Sequence, residues 1–299
     1  MSRNLIDKFL EYLEYEKKYS KHTVAAYRRD LTDFIDYCEG EFDQDNLKEI
    51  HYNQIRSWIV MLVDQGLVNR SVNRKISSLK TFYNFLQKIG EINVNPLAKH
   101  KSLKVQKKIS VPFTEKEVNE VIELLKVKDD FEGVRNRLIV ELLYSTGIRR
   151  AELINIKESD INFEEKLLKV LGKRNKERFV VLLPFVMDTI RSYMKKKNEL
   201  EKLEDNDYLL LTKKGVKLYE TLVYRIINSY FRGVSTKVKK SPHILRHAFA
   251  THLLNKGASL YSVKELLGHS SLASTQVYTH SSLEELKQVY NKTHPRELN

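Results

Sequence analysis

NRSVNRKISSLKTFYNFLQKIG, residues 69–90, sets the architecture of the first third of the chain. Apolar side chains recur at Val72, Ile76, Leu79, Tyr83 and Leu86, in steps of four and three, the period of a helix with one buried face. Arg70, Arg74, Lys75 and Lys80 fall on the side that reads as polar, and Gly90 is the residue type that ends helices. Towards the N-terminus, Ile55, Ile59 and Leu62 mark another helix. Val24, Tyr27, Leu31, Phe34, Ile35 and Cys38 mark a further one, with Ser20 or Thr23 as its cap. Leu5, Phe9, Tyr12 and Leu13 mark the first. The front of the chain therefore reads as a helical domain.

Forward of this stretch, NPLAKHKSLKVQKKISVPF at 95–113 combines two prolines with repeated lysines and little periodicity. It reads as a linker, which divides the chain into domains at 1–106 and 107–299. Its charge suits either solvation or passage along a polyanion. Thr114 and Glu117 are spaced as a capping box. A helix is expected from Arg135 to Thr146, stopped by Gly147. Leu167–Leu171 and Arg178–Leu183 are β-like runs joined by the polar loop GKRNKE, and from Met187 the pattern is mostly helical again. The expected fold class is mainly α with a small β-sheet: a helical N-terminal domain followed by an α+β domain.

Composition narrows the partner. Of the 299 residues, 52 are Lys or Arg and 39 are Asp or Glu, a formal charge of +13 that favours a polyanion. The excess is spread along the chain, which fits a clamp better than a basic tail. Cys38 is the single cysteine, so no disulfide forms within the chain, and a reducing cytoplasm is the expected compartment. MSRNLIDKFLEYLEYEKK lacks the apolar core of a signal peptide. The longest strongly apolar stretch, Val180 to Met187, is interrupted by Pro184 and is too short to cross a bilayer, so no membrane association is expected.

The chemistry concentrates in the second half. In SPHILRHAFATHLL, residues 241–254, Pro242 suits the first helical position, and His243 and Arg246 stand three apart on one face. A planar guanidinium can hold two phosphate oxygens, and an imidazole can donate to a third or relay a proton. His243, His247 and His252 also admit a metal-site reading. No carboxylate or cysteine completes such a site nearby, and Arg246 would put a fixed cation beside the metal. In LLGHSSLASTQVYTH, residues 266–280, Gly268 ends a helix, His269 follows it, and Tyr278 lies on a short helix beyond. Tyr278 is one of 16 tyrosines, and only its neighbours distinguish it. In YSTGIRRAEL, residues 144–153, Arg149 lies near a helix N-terminus, where anions bind, with Glu152 in reach of an arginine. A surface salt bridge is the plain alternative there. Together, Arg149, Lys173, His243, Arg246, His269 and Tyr278 put cations around a phenol, a set suited to attack on a phosphodiester.

TGIRRAEL, LGKRNKERFVVLLP, HILRHAFATHLL, LLGHSSLASTQVYTH and the closing HPR, in this order, strongly resemble the tyrosine recombinase (phage-integrase-like) family, and most of all its Xer branch. YSKHTVAAYRRDLTDFIDYC and NRSVNRKISSLKTFYNFL resemble the SAM-like DNA-clamping domain of the same proteins. The resemblance implies that Arg149 and Arg246 bind the scissile phosphate, that Lys173 protonates the leaving 5′ oxygen, that His243 and His269 complete the pocket, and that Tyr278 is the nucleophile. Arg174 stands where the family commonly has glycine, which leaves Lys176 as the alternative to Lys173. Arg150, beside Arg149, reads as a backbone or surface charge. The implied reaction passes through a 3′-phosphotyrosyl link and uses no ATP, metal or other cofactor.

Arg28, Arg29, Arg70, Arg74 and Lys75 are the candidate contacts to double-stranded DNA. Recombination of two duplexes implies a tetramer on DNA, formed with copies of itself or with a related Xer recombinase. Residues 283–299 are the segment expected to pack onto a neighbour. A septal DNA translocase is a further partner on this reading. The front half begins almost at Met1, leaving no room for an extra arm-binding domain, so resolution of chromosome dimers is favoured over a mobile-element integrase or a phase-variation invertase. A DNA-binding regulator without catalysis is the reading from another class, and all six positions being filled argues against it.

Overall fold

The computed structural model describes residues 2–106, 111–172, 176–237, 239–268, 290 and 293–296. The chain divides into two compact units, Met1–Lys108 and Ile109–Asn299. The first is built on α1 (Ser2–Glu11), α2 (Lys21–Phe42), α3 (Tyr52–Asp64) and α4 (Asn69–Lys88). The apolar positions of residues 69–90 are buried as the periodicity predicts, with Val72, Leu79, Tyr83 and Leu86 at 1% exposure or less. They meet Phe9, Leu31, Phe34, Ile35, Cys38 and Trp58 in one core. Ser20 caps α2 by accepting a hydrogen bond from the Thr23 N–H at 3.3 Å. Gly90 takes a left-handed conformation, φ +76°, just past the end of α4. The first helix does not run on as α-helix: Tyr12–Glu16 widen into a π-helical turn.

The stretch that reads as a linker is anchored in its first part. Leu97 is fully buried in the N-terminal core. Asn73 of α4 donates to the Leu103 carbonyl and accepts from the Leu103 N–H, both at 2.9 Å, and Asn69 donates to the Lys104 carbonyl at 2.8 Å. Side-chain amides thus hold a strap whose sequence carries no apolar period.

The second unit opens with α5 (Glu115–Lys126), whose capping box forms as read: Glu117 N–H donates to Thr114 Oγ1 and Thr114 N–H to Glu117 Oε2. Next is α6 (Phe131–Thr146), which starts four residues before the expected Arg135 because Asp130 caps it. Residues Gly133 to Thr146 are buried on nearly every side, apart from Arg137, so an amphipathic stripe is absent and periodicity misplaces the start. Beyond the short α7 (Arg150–Leu153) comes an antiparallel sheet of β1 (Ile161–Asn162), β2 (Leu167–Leu171) and β3 (Glu177–Val181). Leu168 pairs with Val180 and Val170 with Arg178 across β2 and β3. The two-residue β1 is too short for its pattern to register. Among the described residues, the helices α8 (Pro184–Asn198), α9 (Glu220–Val234), α10 (Pro242–Asn255) and α11 (Leu260–Leu267) follow, packed around a core centred on α6. The fold is mainly α with a small β-sheet, an N-terminal helical domain followed by an α+β domain.

Candidate active site

Gly147 ends α6 in the left-handed region, φ +60°. Its Cα sits so close to Phe249 and Leu267 that a Cβ would lie 2.9 Å from Leu267 Cδ2 and nearer still to the Phe249 ring. Glycine therefore brings the ends of α6 and α11 together over α10. Into this junction α10 sends Arg246, which is buried at 7% exposure. Its guanidinium donates to the Gly147 carbonyl and, at 2.7 Å, to the Leu267 carbonyl, the last oxygens of two helices. Helix C-termini carry unpaired carbonyls and partial negative charge, so a buried cation is well placed there. A guanidinium has more donors than these two bonds use.

Arg149 follows two residues after Gly147. Its backbone N–H donates to Glu152 Oε2 at 2.8 Å, and its Nη1 donates to Glu152 Oε1 at 2.7 Å. Arg149 keeps 40% of its side chain exposed, whereas Glu152 keeps 5%. The same carboxylate takes a second guanidinium: Arg178 of β3 donates from Nη1 to Oε1 at 3.1 Å and from Nη2 to Oε2 at 2.8 Å. Burial opposes ionisation of Glu152, but the hydrogen bonds and charge of Arg178, then Arg149, outweigh it and hold the carboxyl below the usual range. Burial foremost, then the charge of Arg149, pulls Arg246 down to about 10. Arg246 is still a cation at neutral pH. Three guanidinium groups against one carboxylate leave two positive charges net.

His243 and Arg246 lie on the same helix, His243 exposed at its first turn and Arg246 buried beneath. His247 is also exposed. His252 is buried, with Nδ1 2.9 Å from Tyr144 Oη, so the three histidines do not share a face as a metal site requires. Arg150 pairs with Glu220. Lys173, His269 and Tyr278 lie outside the described residues, as does Arg174. Lys176, the alternative to Lys173, is exposed beside Gly172, whose N–H donates to its carbonyl at 2.7 Å.

Sequence reasoning missed Arg178. A signal existed: alternation along β3 puts position 178 on the same inward face as Val180, and a charged residue there needs a buried partner. Residues 283–299, expected to pack onto a neighbour, are engaged with their own chain in their described part. Tyr290 Oη donates to the Ser145 carbonyl, fully buried His294 lies 5.6 Å from the Tyr144 ring centroid, and Arg296 Nη1 is 3.7 Å from Glu141 Oε1.

In the N-terminal unit, Arg28, Arg29, Arg70 and Arg74 are exposed as expected of groups that contact a ligand. Arg28 pairs with Asp7 at 2.8 Å. Lys75 corrects the reading of α4, because it points inward, at 8% exposure. It pairs with Asp33 and lies 3.5 Å from Asp30, whose buried carboxylate also accepts from Arg74 and, at 2.7 Å, from Ser78. Lys75 Nζ lies 5.8 Å from the Trp58 ring centroid. It ties α4 to α2 and is removed from the candidate contacts.

Residues 112–285 match the phage integrase family, and residues 6–90 match the phage integrase N-terminal SAM-like domain. The chain belongs to the phage integrase family, as a tyrosine recombinase of the Xer branch. Tyrosine recombinase XerC of Oceanobacillus iheyensis is 38% identical, over 97% of this chain and 96% of that protein. Tyrosine recombinase XerC of Chlorobaculum parvum is 34% identical, over 97% of this chain and 94% of that protein. Among solved structures, the XerH site-specific recombinase bound to a palindromic difH substrate in a post-cleavage complex has the same fold. It superposes with a TM-score of 0.72 at 21% identity, covering 98% of this chain and 82% of that one.

Proposed function

We propose that this enzyme cuts and rejoins double-stranded DNA at a specific site, with Tyr278 as nucleophile. The observation that carries the reading is the junction at which the Arg246 guanidinium is held by the Gly147 and Leu267 carbonyls, with Arg149, paired to Glu152, two residues along the chain from Gly147. A free phenol has a pKa near ~10 and is a poor nucleophile at neutral pH; neighbouring cations favour its ionised form. They also stabilise the charge that builds on phosphorus in the transition state. Arg149 and Arg246 bind the non-bridging oxygens, and His243 and His269 complete the pocket. Attack by the Tyr278 oxygen forms a phosphotyrosyl bond to the 3′ phosphate. The bond to the 5′ oxygen breaks, and Lys173, with Lys176 as the alternative, protonates that leaving oxygen. A 5′ hydroxyl from another strand reverses the step, so the bond energy is retained and no ATP is consumed.

Exposed Arg28, Arg29, Arg70 and Arg74 contact the duplex. The assembly is a tetramer on DNA, with copies of this chain or a related Xer recombinase, in the cytoplasm, where a septal DNA translocase acts on it. No helix among the described residues is long and apolar enough to cross a membrane. The likeness to the XerC relatives supports resolution of chromosome dimers before division.

Crosslinking the protein to the chromosome in cells recovers its site, and a nicked duplex carrying that site then traps the covalent intermediate. The wild-type chain should give a protein–DNA adduct on denaturing gels, and Tyr278→Phe should bind the duplex equally and give none. An adduct with Tyr278→Phe refutes the nucleophile. Sites near the replication terminus support dimer resolution; sites flanking invertible promoters overturn it.

A further inference from the structure

Arg178 has no part in the chemistry set out above, yet it meets Arg149 through one carboxylate. It is 6% exposed and occupies both oxygens of Glu152, leaving Arg149 a single side-chain bond to the same group. Gly268 makes room for it: a Cβ there would lie 3.0 to 3.3 Å from Arg178 Cδ, Nε and Cζ. Its Nε is buried without a hydrogen-bond partner among the described residues. A buried ion pair is seldom more stabilising than an apolar pair of the same volume. Stability therefore gives no reason to place a guanidinium here, whereas electrostatics does. Glu152 fixes the pose of Arg149, but alone it would also cancel the charge that Arg149 brings to the phosphate. With Arg178 bound, the carboxylate is already neutralised.

We infer that Arg178 is a positioning residue for strand cleavage: it saturates and neutralises Glu152, so that Arg149 is held in place yet remains a net cation facing the phosphate. This rests on the recombinase function proposed above. On that reading the cluster loses one positive charge in Arg178→Gln and regains it in the double variant Glu152→Gln/Arg178→Gln.

The test is single-turnover formation of the covalent adduct on the nicked duplex, with duplex binding measured alongside. Arg178→Gln should bind as the wild type does and cleave at least about tenfold more slowly. The double variant should cleave faster than Arg178→Gln alone, because the uncompensated carboxylate is gone. A purely structural role predicts the reverse, losses that multiply. Cleavage by Arg178→Gln within about threefold of wild type overturns the inference, as does a double variant slower than both single ones. If Arg178→Gln does not fold, the double variant is compared with Glu152→Gln: an unchanged rate supports the inference, and a further loss of about tenfold overturns it. An inactive wild-type chain on the same duplex refutes the recombinase reading itself, an outcome distinct from any result with the variants.

Discussion

Arg246 and Leu267 are joined by a hydrogen bond of 2.7 Å from a side chain of α10 to the last carbonyl of α11, and the same guanidinium also reaches Gly147 at the end of α6. The bonds diverge from one planar group, a geometry that an ammonium on a flexible stem does not reproduce. Arg246→Lys should therefore slow adduct formation by about 100-fold or more, the range seen when a positioned donor to a developing anion is lost. Duplex binding should change little. Single-turnover kinetics with the nicked site measure both, and a rate within tenfold of wild type would remove Arg246 from the pocket.

Gly147→Ala should be among the most damaging single-methyl changes. The left-handed backbone strains any L side chain, and the new Cβ would collide with Phe249 and Leu267. Strain and overpacking together cost about 3 kcal/mol. Chemical denaturation should show that loss, and adduct formation should fall with it because the Gly147 carbonyl seats Arg246.

Asp30 is 1% exposed and accepts from Arg74, Lys75 and Ser78. Asp30→Ala leaves those donors around a gap, at a cost of about 3 kcal/mol. Arg74→Ala removes only the half-exposed donor and should cost under about 1 kcal/mol while weakening duplex binding. Urea titration and binding isotherms of the two variants separate the roles.

His294 titrates against the fold. Burial foremost, then the charge of Arg296, lowers its pKa from 6.5 to about 3. The folded chain therefore holds it neutral while the unfolded chain protonates it. Its contribution is fully present above pH 6.5 and is lost as pH falls towards 3, by up to ~1.4 kcal/mol per pH unit. His294→Phe keeps an aromatic ring against Tyr144, Phe249 and Tyr290. Denaturation midpoints from pH 7 to 4 should fall less steeply in that variant; an identical slope would clear His294 of the effect.

The sequence carried the architecture where one face of an element is buried and the other wet. Residues 69–90 met that condition, and so did the capping box at Thr114. It carried less of α6, where burial on nearly all sides erases the period. Lys75 shows a second limit. Its acidic partners Asp30 and Asp33 lie 45 and 42 residues earlier, so nothing local marks it as inward. In the site, spacing placed His243 and Arg246 on one helix and Glu152 within reach of an arginine, and Glu152 does pair with Arg149, while the roles given to these residues rest on the family resemblance. Arg178 was passed over because strand patterns are scanned for apolar alternation, and an ion pair between α7 and β3 leaves no such trace.

Tyr290, His294 and Arg296 thread into the surroundings of α6, against Ser145, Tyr144 and Glu141. The packing behind α6 is thus completed by a residue 145 positions further along the chain. Such a contact of high sequence separation carries a large loop-closure entropy, so it forms later and more slowly than the local turns of α6.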